Sequence, residues 1–236
     1  MIDCDFSMNL HTSDGEPISI TRVIKAGAGL LGHTKGYTDP AAYEIFVSTF
    51  LARNNVAKNM AHTTVKLLAK SFPALISPEI LDISAGTGLF SGALTRLGAT
   101  VTATDISPQQ LDYLESHKRA ARTKIMDFNS PFDFADGTFD GVVTLAANRY
   151  IKNLQAFASE VHRILKPGGI FIWPLFWQDN MTFIKTQHRI ITPNSLARIL
   201  KRAGFSEHKI LILDSIKDGA LIFPKIAAPT YIFGKI

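Results

Sequence analysis

The stretch Ile80-Leu81-Asp82-Ile83-Ser84-Ala85-Gly86-Thr87-Gly88 decides how the chain folds. It is an apolar strand that runs into a turn of small residues, with a helical pattern after it. Gly86 and Gly88 let the backbone turn tightly and come close to a ligand. Two cofactor classes use such turns. A dinucleotide would rest its pyrophosphate on the helix N-terminus and would favour a third glycine or alanine, where this chain has Ser91. Asp82 also argues against it, because a carboxylate repels a pyrophosphate but attracts a ligand that carries an ammonium and a sulfonium. A P-loop is excluded, since no Gly-Lys-Ser/Thr follows.

Downstream the chain alternates strand and helix. The expected strands are 80–84, 100–105, 123–126, 139–145, 169–176, 209–213 and 231–236. The expected helices are 90–97, closed by Gly98; 108–118, opened by Ser107-Pro108; 154–165, closed by Lys166-Pro167-Gly168-Gly169; and 193–203, opened by Thr192-Pro193 and stopped by Gly204. This alternation predicts a mostly parallel sheet covered on both faces, with ligands beyond the C-terminal ends of its strands. Upstream of residue 78, strand signals are few. Asp39-Pro40 predicts a helix to about Leu51, and a second helix is expected over 56–70 with Met60, Val65, Leu68 and Ala69 inward.

Asp105 ends the second strand, 23 residues after Asp82. Its two oxygens suit both hydroxyls of a ribose, which reads adenosine without separating a nicotinamide dinucleotide from S-adenosylmethionine. Ile106 beside it offers an apolar contact for adenine. Asp127 is placed to accept from the adenine amino group, with Met126 or Phe128 packing on the ring face.

Five segments in order resemble one family: Ile80–Gly88, Ala103-Thr104-Asp105-Ile106-Ser107, Met126-Asp127 with Phe134-Ala135-Asp136-Gly137-Thr138-Phe139-Asp140, Arg163-Ile164-Leu165-Lys166-Pro167-Gly168-Gly169, and Ala203-Gly204-Phe205. Over about residues 79–210 the chain is similar to the class I S-adenosylmethionine-dependent methyltransferases, in particular the small soluble group around the ubiquinone/menaquinone-biosynthesis C-methyltransferases. The resemblance implies an α/β, Rossmann-like seven-stranded sheet, mostly parallel, with its last strand antiparallel and helices on both faces. It implies that residues 79–236 bind S-adenosylmethionine and that residues 1–78 form a helical N-terminal cap that shares in the acceptor pocket. Asp82 and the turn Ser84, Ala85, Gly86 and Gly88 would hold the methionine part, Asp105 the ribose, and Ile106, Met126, Asp127 and Phe128 the adenine. The backbone at Leu145, Ala146 and Ala147 would lie beside the sulfonium. The activity implied is methyl transfer to O, N or C of a small, apolar or aromatic metabolite, with S-adenosylhomocysteine as the product. The alternatives are an RNA or protein methyltransferase, or a non-catalytic S-adenosylmethionine-binding partner.

Two departures stand out. The usual first glycine of the turn is Ser84, tolerable there with a negative φ. The segment Ala146-Ala147-Asn148-Arg149 lacks the Asn/Asp-Pro-Pro-aromatic sequence of enzymes that methylate exocyclic amines or glutamine amides. No catalytic residue is singled out, because an activated donor needs a base only if the nucleophile must lose a proton.

Composition narrows the rest. Hydrophobic residues make up 46% and charged residues 19%, which excludes intrinsic disorder. One cysteine, Cys4, fits a reducing compartment and excludes a cysteine-based zinc site. No metal is expected: Asp179-Asn180 alone is too few oxygen ligands, and the seven histidines hold no His-x-x-x-His pair. The longest apolar run, Gly169 to Trp177, is too short for a bilayer, so a cytoplasmic protein without membrane contact is expected. The net charge is +5. Its densest cluster, Lys118, Arg119, Arg122 and Lys124, is expected at a helix C-terminus where the dipole favours cations, rather than as a nucleic-acid patch. Trp173, Phe176 and Trp177 fall at the ligand end of the fifth strand, where an aromatic pocket and plain core packing compete. The oligomeric state is not legible.

Overall fold

The computed structural model describes residues 10–12, 14–19, 21–23, 39–50, 53–71, 73–144, 150–174, 184–185, 190–191, 193–213 and 228–235. Seven strands form one sheet: β1 (Glu79–Ile83), β2 (Thr100–Asp105), β3 (Arg122–Ile125), β4 (Phe139–Thr144), β5 (Leu165–Pro174), β6 (Phe205–Leu213) and β7 (Ala228–Lys235). Their order is β6-β7-β5-β4-β1-β2-β3. Five strands, β3, β2, β1, β4 and β5, are joined by parallel pairing. β7 is antiparallel to both β5 and β6. The order reverses at β1, so the crevice beyond its C-terminal end lies beside the small-residue turn.

Alternate side chains of each strand enter two different cores, because helices cover both faces. Leu81, Ile83, Val142, Phe171 and Trp173 pack with Phe157, Val161 and Ile164 of α5 (Leu154–Ile164) and with Leu196 and Leu200 of α6 (Pro193–Arg202). Ile80, Val101, Val143 and Ile172 pack on the other face. They meet Phe90, Ala93 and Leu94 of α3 (Leu89–Arg96) and Ala61 and Leu68 of α2 (Arg53–Ser71). Hence α2 is part of the sheet's helical layer, and this core draws on residues from both sides of position 78.

On α2 one expected inward position, Ala69, needs correction; Leu68 and Val65 pack on this core as expected, and the side chain of Met60 lies outside the described residues. Ala61, Thr64 and Leu68 are buried, while Ala69 is exposed. The face follows the three- and four-residue helical step from Ala61, which moves Ala69 to the water side. A small separate core remains upstream, built from Ile18, Val23, Ala42, Tyr43, Ile45 and Val47. Its helix, α1 (Pro40–Ile45), starts as expected. Asp39 accepts from the Ala42 amide at 3.2 Å and Pro40 takes a first-turn position. It passes into a π-helical turn, Phe46–Phe50, rather than running on as an α-helix.

The other caps follow the sequence. Ser107 accepts from the Gln110 amide to open α4 (Pro108–Ser116), and Asn153 accepts from the Ala156 amide to open α5. The breaker 166–169 behaves differently from expectation. β5 begins at Leu165 and runs through it, with an irregularity opposite Phe139–Gly141 and Gly168 at φ +78°. Among the described residues no helix is long and apolar enough to cross a membrane.

Candidate functional site

Strand β1 delivers Asp82 to the interior, opposite Ala103 on β2 and Val143 on β4. The side chain is buried. Its Oδ2 accepts from the Ser91 hydroxyl at 2.6 Å, while Oδ1 is buried with no hydrogen-bond partner. Burial pushes the Asp82 carboxyl up to about 7; the Ser91 hydroxyl pulls against that, and nearby Asp105 adds to the rise. A buried anion with one bare oxygen is costly unless a cationic or donor group meets it.

The turn that follows is left-handed at three positions: Ser84 at φ +60°, Gly86 at +56° and Gly88 at +78°. Ser84 therefore does not take the negative φ expected of it. It adopts the conformation of the glycine it replaces, at a cost of about 1–2 kcal/mol. Gly88 is required on two counts, since a Cβ there would also lie 2.6 Å from Leu114 on α4. The Ala85 amide bonds the Thr104 carbonyl at 2.9 Å, which binds the turn to the end of β2.

Asp105, also buried, reinforces that link. Its Oδ2 accepts from the Gly86 amide at 2.9 Å and its Oδ1 from the Ser107 amide at 3.0 Å. Burial raises the Asp105 carboxyl, and the amides of Ser107, Gly86 and Ile106 oppose the rise. Two carboxylates thus flank one turn beyond adjacent parallel strands. Three amides on the four lone-pair positions of the carboxylate leave Asp105 one further acceptor position.

The expected adenine contacts divide. Ile106, directly after β2, is 64% exposed. Met126 is buried, and Phe128 packs edge-on against Phe157 with centroids 6.0 Å apart, so both belong to the α5-side core. Asp127 accepts from the Asn129 amide at 2.9 Å. Leu145, Ala146 and Ala147 lie outside the described residues, as do Phe176, Trp177, Asp179 and Asn180. Trp173 is buried against Phe157 and Phe171, as a core residue.

Other motif residues turn out to build the frame. Asp140, at the start of β4 and so at the opposite end of the sheet, accepts from the Glu79 amide and from Lys166 Nζ. Arg163 donates to the carbonyls of Phe132 and Phe134 and to Glu160 and Asp136, fastening the loop before β4. The basic cluster is a helix terminus only in its first half: Lys118, at φ +52°, and Arg119 cap the end of α4, their amides donating to the Glu115 and Leu114 carbonyls, whereas Arg122 and Lys124 lie on β3, and Arg119, Arg122 and Lys124 pair with Glu44, Glu79 and Asp133. Each carboxylate comes from a distant or separate segment, which the local sequence does not show.

Ser91 is the site residue that sequence reasoning undervalued. It looked like a failed third glycine, yet its hydroxyl is the partner of Asp82. A signal was present: a first-turn hydroxyl nine positions after a strand carboxylate. Tyr43 also reaches the site. A Cβ on Gly86 would lie 3.6 Å from its ring.

With this geometry in place, the chain matches a family model described as a methyltransferase domain over residues 81–173. It is 34% identical over 149 residues to an uncharacterised methyltransferase of Synechocystis, covering 56% of this chain and 69% of that protein. It is 37% identical over 92 residues to a demethylmenaquinone methyltransferase of Tropheryma whipplei, a match spanning 39% of this chain and 38% of that relative's length. Among solved structures it is similar to an S-adenosylmethionine-bound amino pentose methyltransferase from Micromonospora echinaspora, at TM-score 0.61 and 12% identity over 81% of this chain and 97% of that one. Fold and turn define a class I methyltransferase. The chain belongs to the S-adenosylmethionine-dependent methyltransferase family.

Proposed function

We propose that the chain transfers a methyl group from S-adenosylmethionine to O, N or C of a small, apolar or aromatic metabolite by in-line displacement. The observation that carries this is the bare, buried Oδ1 of Asp82 beside a left-handed turn, with Asp105 braced against the same turn. That arrangement fits a cationic nucleoside better than a pyrophosphate, since two carboxylates would repel phosphate oxygens. Asp82 would pair with the ammonium of the methionine part. The turn Ser84–Gly88 would hold its carboxylate end through backbone amides. Asp105 would take a ribose hydroxyl while keeping its grip on Gly86. Ile106, Asp127 and the partly exposed Phe128 would bound the adenine while Met126 packs in the α5-side core, and the backbone at 145–147 would face the sulfonium.

When bound, S-adenosylmethionine supplies an activated methyl group whose transfer leaves a neutral thioether. The residues of the chain therefore orient and exclude water rather than activate the donor. Alignment of this kind is worth roughly 7–11 kcal/mol of barrier. Residues 1–78, α1 among them, and the loop 177–192 would bound the acceptor, since loops at strand ends carry specificity.

Relatives named as demethylmenaquinone methyltransferases support a quinone-like or other small acceptor. The pairing of the basic cluster with carboxylates works against an RNA substrate. The test is transfer of labelled methyl groups from S-adenosylmethionine into a metabolite extract, RNA and protein in parallel. Label in an organic-soluble small molecule is the expected result. Label in RNA or protein alone overturns the acceptor class. Stabilisation by NAD and not by S-adenosylhomocysteine in a thermal shift overturns the donor.

A further inference from the structure

Arg119 lies in the connection between α4 and β3, with its own carbonyl held by the Thr95 hydroxyl at 3.0 Å at the foot of α3. Its side chain runs along α3 toward the candidate cofactor turn. Two glycines leave it room. A Cβ on Gly92 would lie 3.2 Å from Arg119 Cγ, and one on Gly88 would lie 3.2 Å from Arg119 Cβ.

The guanidinium crosses the Tyr113 ring at 5.6 Å and ends on two partners. Nη1 donates to the Thr87 carbonyl at 2.7 Å, in the middle of the turn. Both terminal nitrogens donate to the Glu44 carboxylate of α1, Nη2 to Oε1 at 2.9 Å. The two side chains are 15% and 14% exposed, so water has largely been excluded from the pair. A bidentate pair of this kind fixes orientation as well as distance. Residue 43 precedes Glu44, and the Tyr43 ring lies on Gly86. Drawing Glu44 to Arg119 therefore sets Tyr43 over the turn.

We propose that Arg119 and Glu44 are positioning residues for the methyl donor: their ion pair fastens α1 to the Thr87 carbonyl, which fixes the turn 84–88 and holds Tyr43 above it. This rests on the functional reading above, in which that turn holds the methionine part of the donor. Neither residue touches the donor in this scheme. Both act through the turn and through Tyr43.

The test compares two ligands by calorimetry, S-adenosylhomocysteine and adenosine, on the full chain. Adenosine lacks the methionine part that the turn would hold. Glu44→Ala and Arg119→Ala should weaken S-adenosylhomocysteine about tenfold or more, while adenosine affinity changes much less. Arg119→Lys should fall between, because one ammonium cannot serve the Thr87 carbonyl and both Glu44 oxygens together. Glu44→Gln, which keeps an acceptor oxygen, should lose less than Glu44→Ala. If Arg119→Ala does not fold, Glu44→Ala decides the matter, since it leaves Arg119 on Thr87 and removes only the tie to α1. Equal losses for both ligands, or unchanged S-adenosylhomocysteine affinity, overturn the positioning role alone. A wild-type protein that binds neither ligand overturns the functional reading, and this inference with it.

Discussion

Replacing Asp82 with asparagine should stabilise the empty protein and weaken its hold on the donor. The carboxyl is pushed up to about 7 by burial, against an unfolded value of 3.8. Between those values the folded chain keeps a proton that the unfolded chain releases, so stability from this group falls as pH rises. It is fully present below about pH 4 and lost as pH passes through 7. The Asp82→Asn variant carries no such dependence, and its side-chain amide can still accept from the Ser91 hydroxyl. The variant's advantage should therefore grow from about half a kcal/mol at pH 4 to about 4 kcal/mol at pH 8, an upper bound if relaxation admits water. Asp105 is raised by burial as well, so a residual slope of the same sign should persist in the variant. Urea unfolding of both proteins across that pH range measures the gap, and titration with S-adenosylhomocysteine should show weaker binding by the variant. A wild-type curve parallel to the variant's from pH 4 to 8 would refute the reasoning, because Asp82 would then be ionised and compensated in the native protein.

Asp105→Ala removes the acceptor of the Gly86 and Ser107 amides as well as the proposed ribose partner. It should weaken S-adenosylhomocysteine by about ten- to a hundred-and-fifty-fold in calorimetry, and unchanged affinity would place the ribose elsewhere. Ser84→Gly should stabilise the protein by roughly 0.5–1 kcal/mol in denaturant unfolding, because relief at φ +60° exceeds the added freedom of the unfolded chain. Destabilisation by Ser84→Gly would mean that the serine hydroxyl holds the turn.

The sheet was legible because its signals are local. Strands buried on both faces read as short apolar runs, and Gly98, Gly204, Ser107-Pro108 and Thr192-Pro193 punctuate them. The turn and its two acids were legible for the same reason. What escaped depends on contacts between segments far apart in the chain. Glu44 and Arg119 are 75 residues apart, and nothing near either one announces the pair. The membership of α2 in the helical layer depends on Ala61 and Leu68 meeting Ile80 and Val143, not on its own periodicity. The passage of β5 through Lys166-Pro167-Gly168-Gly169 depends on pairing with β4, which outweighs the breaking tendency of those residues.

The exceptions to local rules gather in one place, and that is informative about what the turn does. Ser84 takes a left-handed backbone, Asp82 keeps a bare buried oxygen, and Asp105 is buried beside it. Each lowers the stability of the empty fold, and strain of this kind persists only where the surroundings over-determine it. Here they do: Ser91 holds Asp82, Gly86 and Ser107 hold Asp105, and Arg119 holds Thr87. A scaffold selected for stability alone would place a glycine at 84 and an amide or apolar residue at 82. Retaining an acid there makes sense if a cationic ligand recovers the lost energy on binding, so binding and stability should move in opposite directions when Asp82 is neutralised.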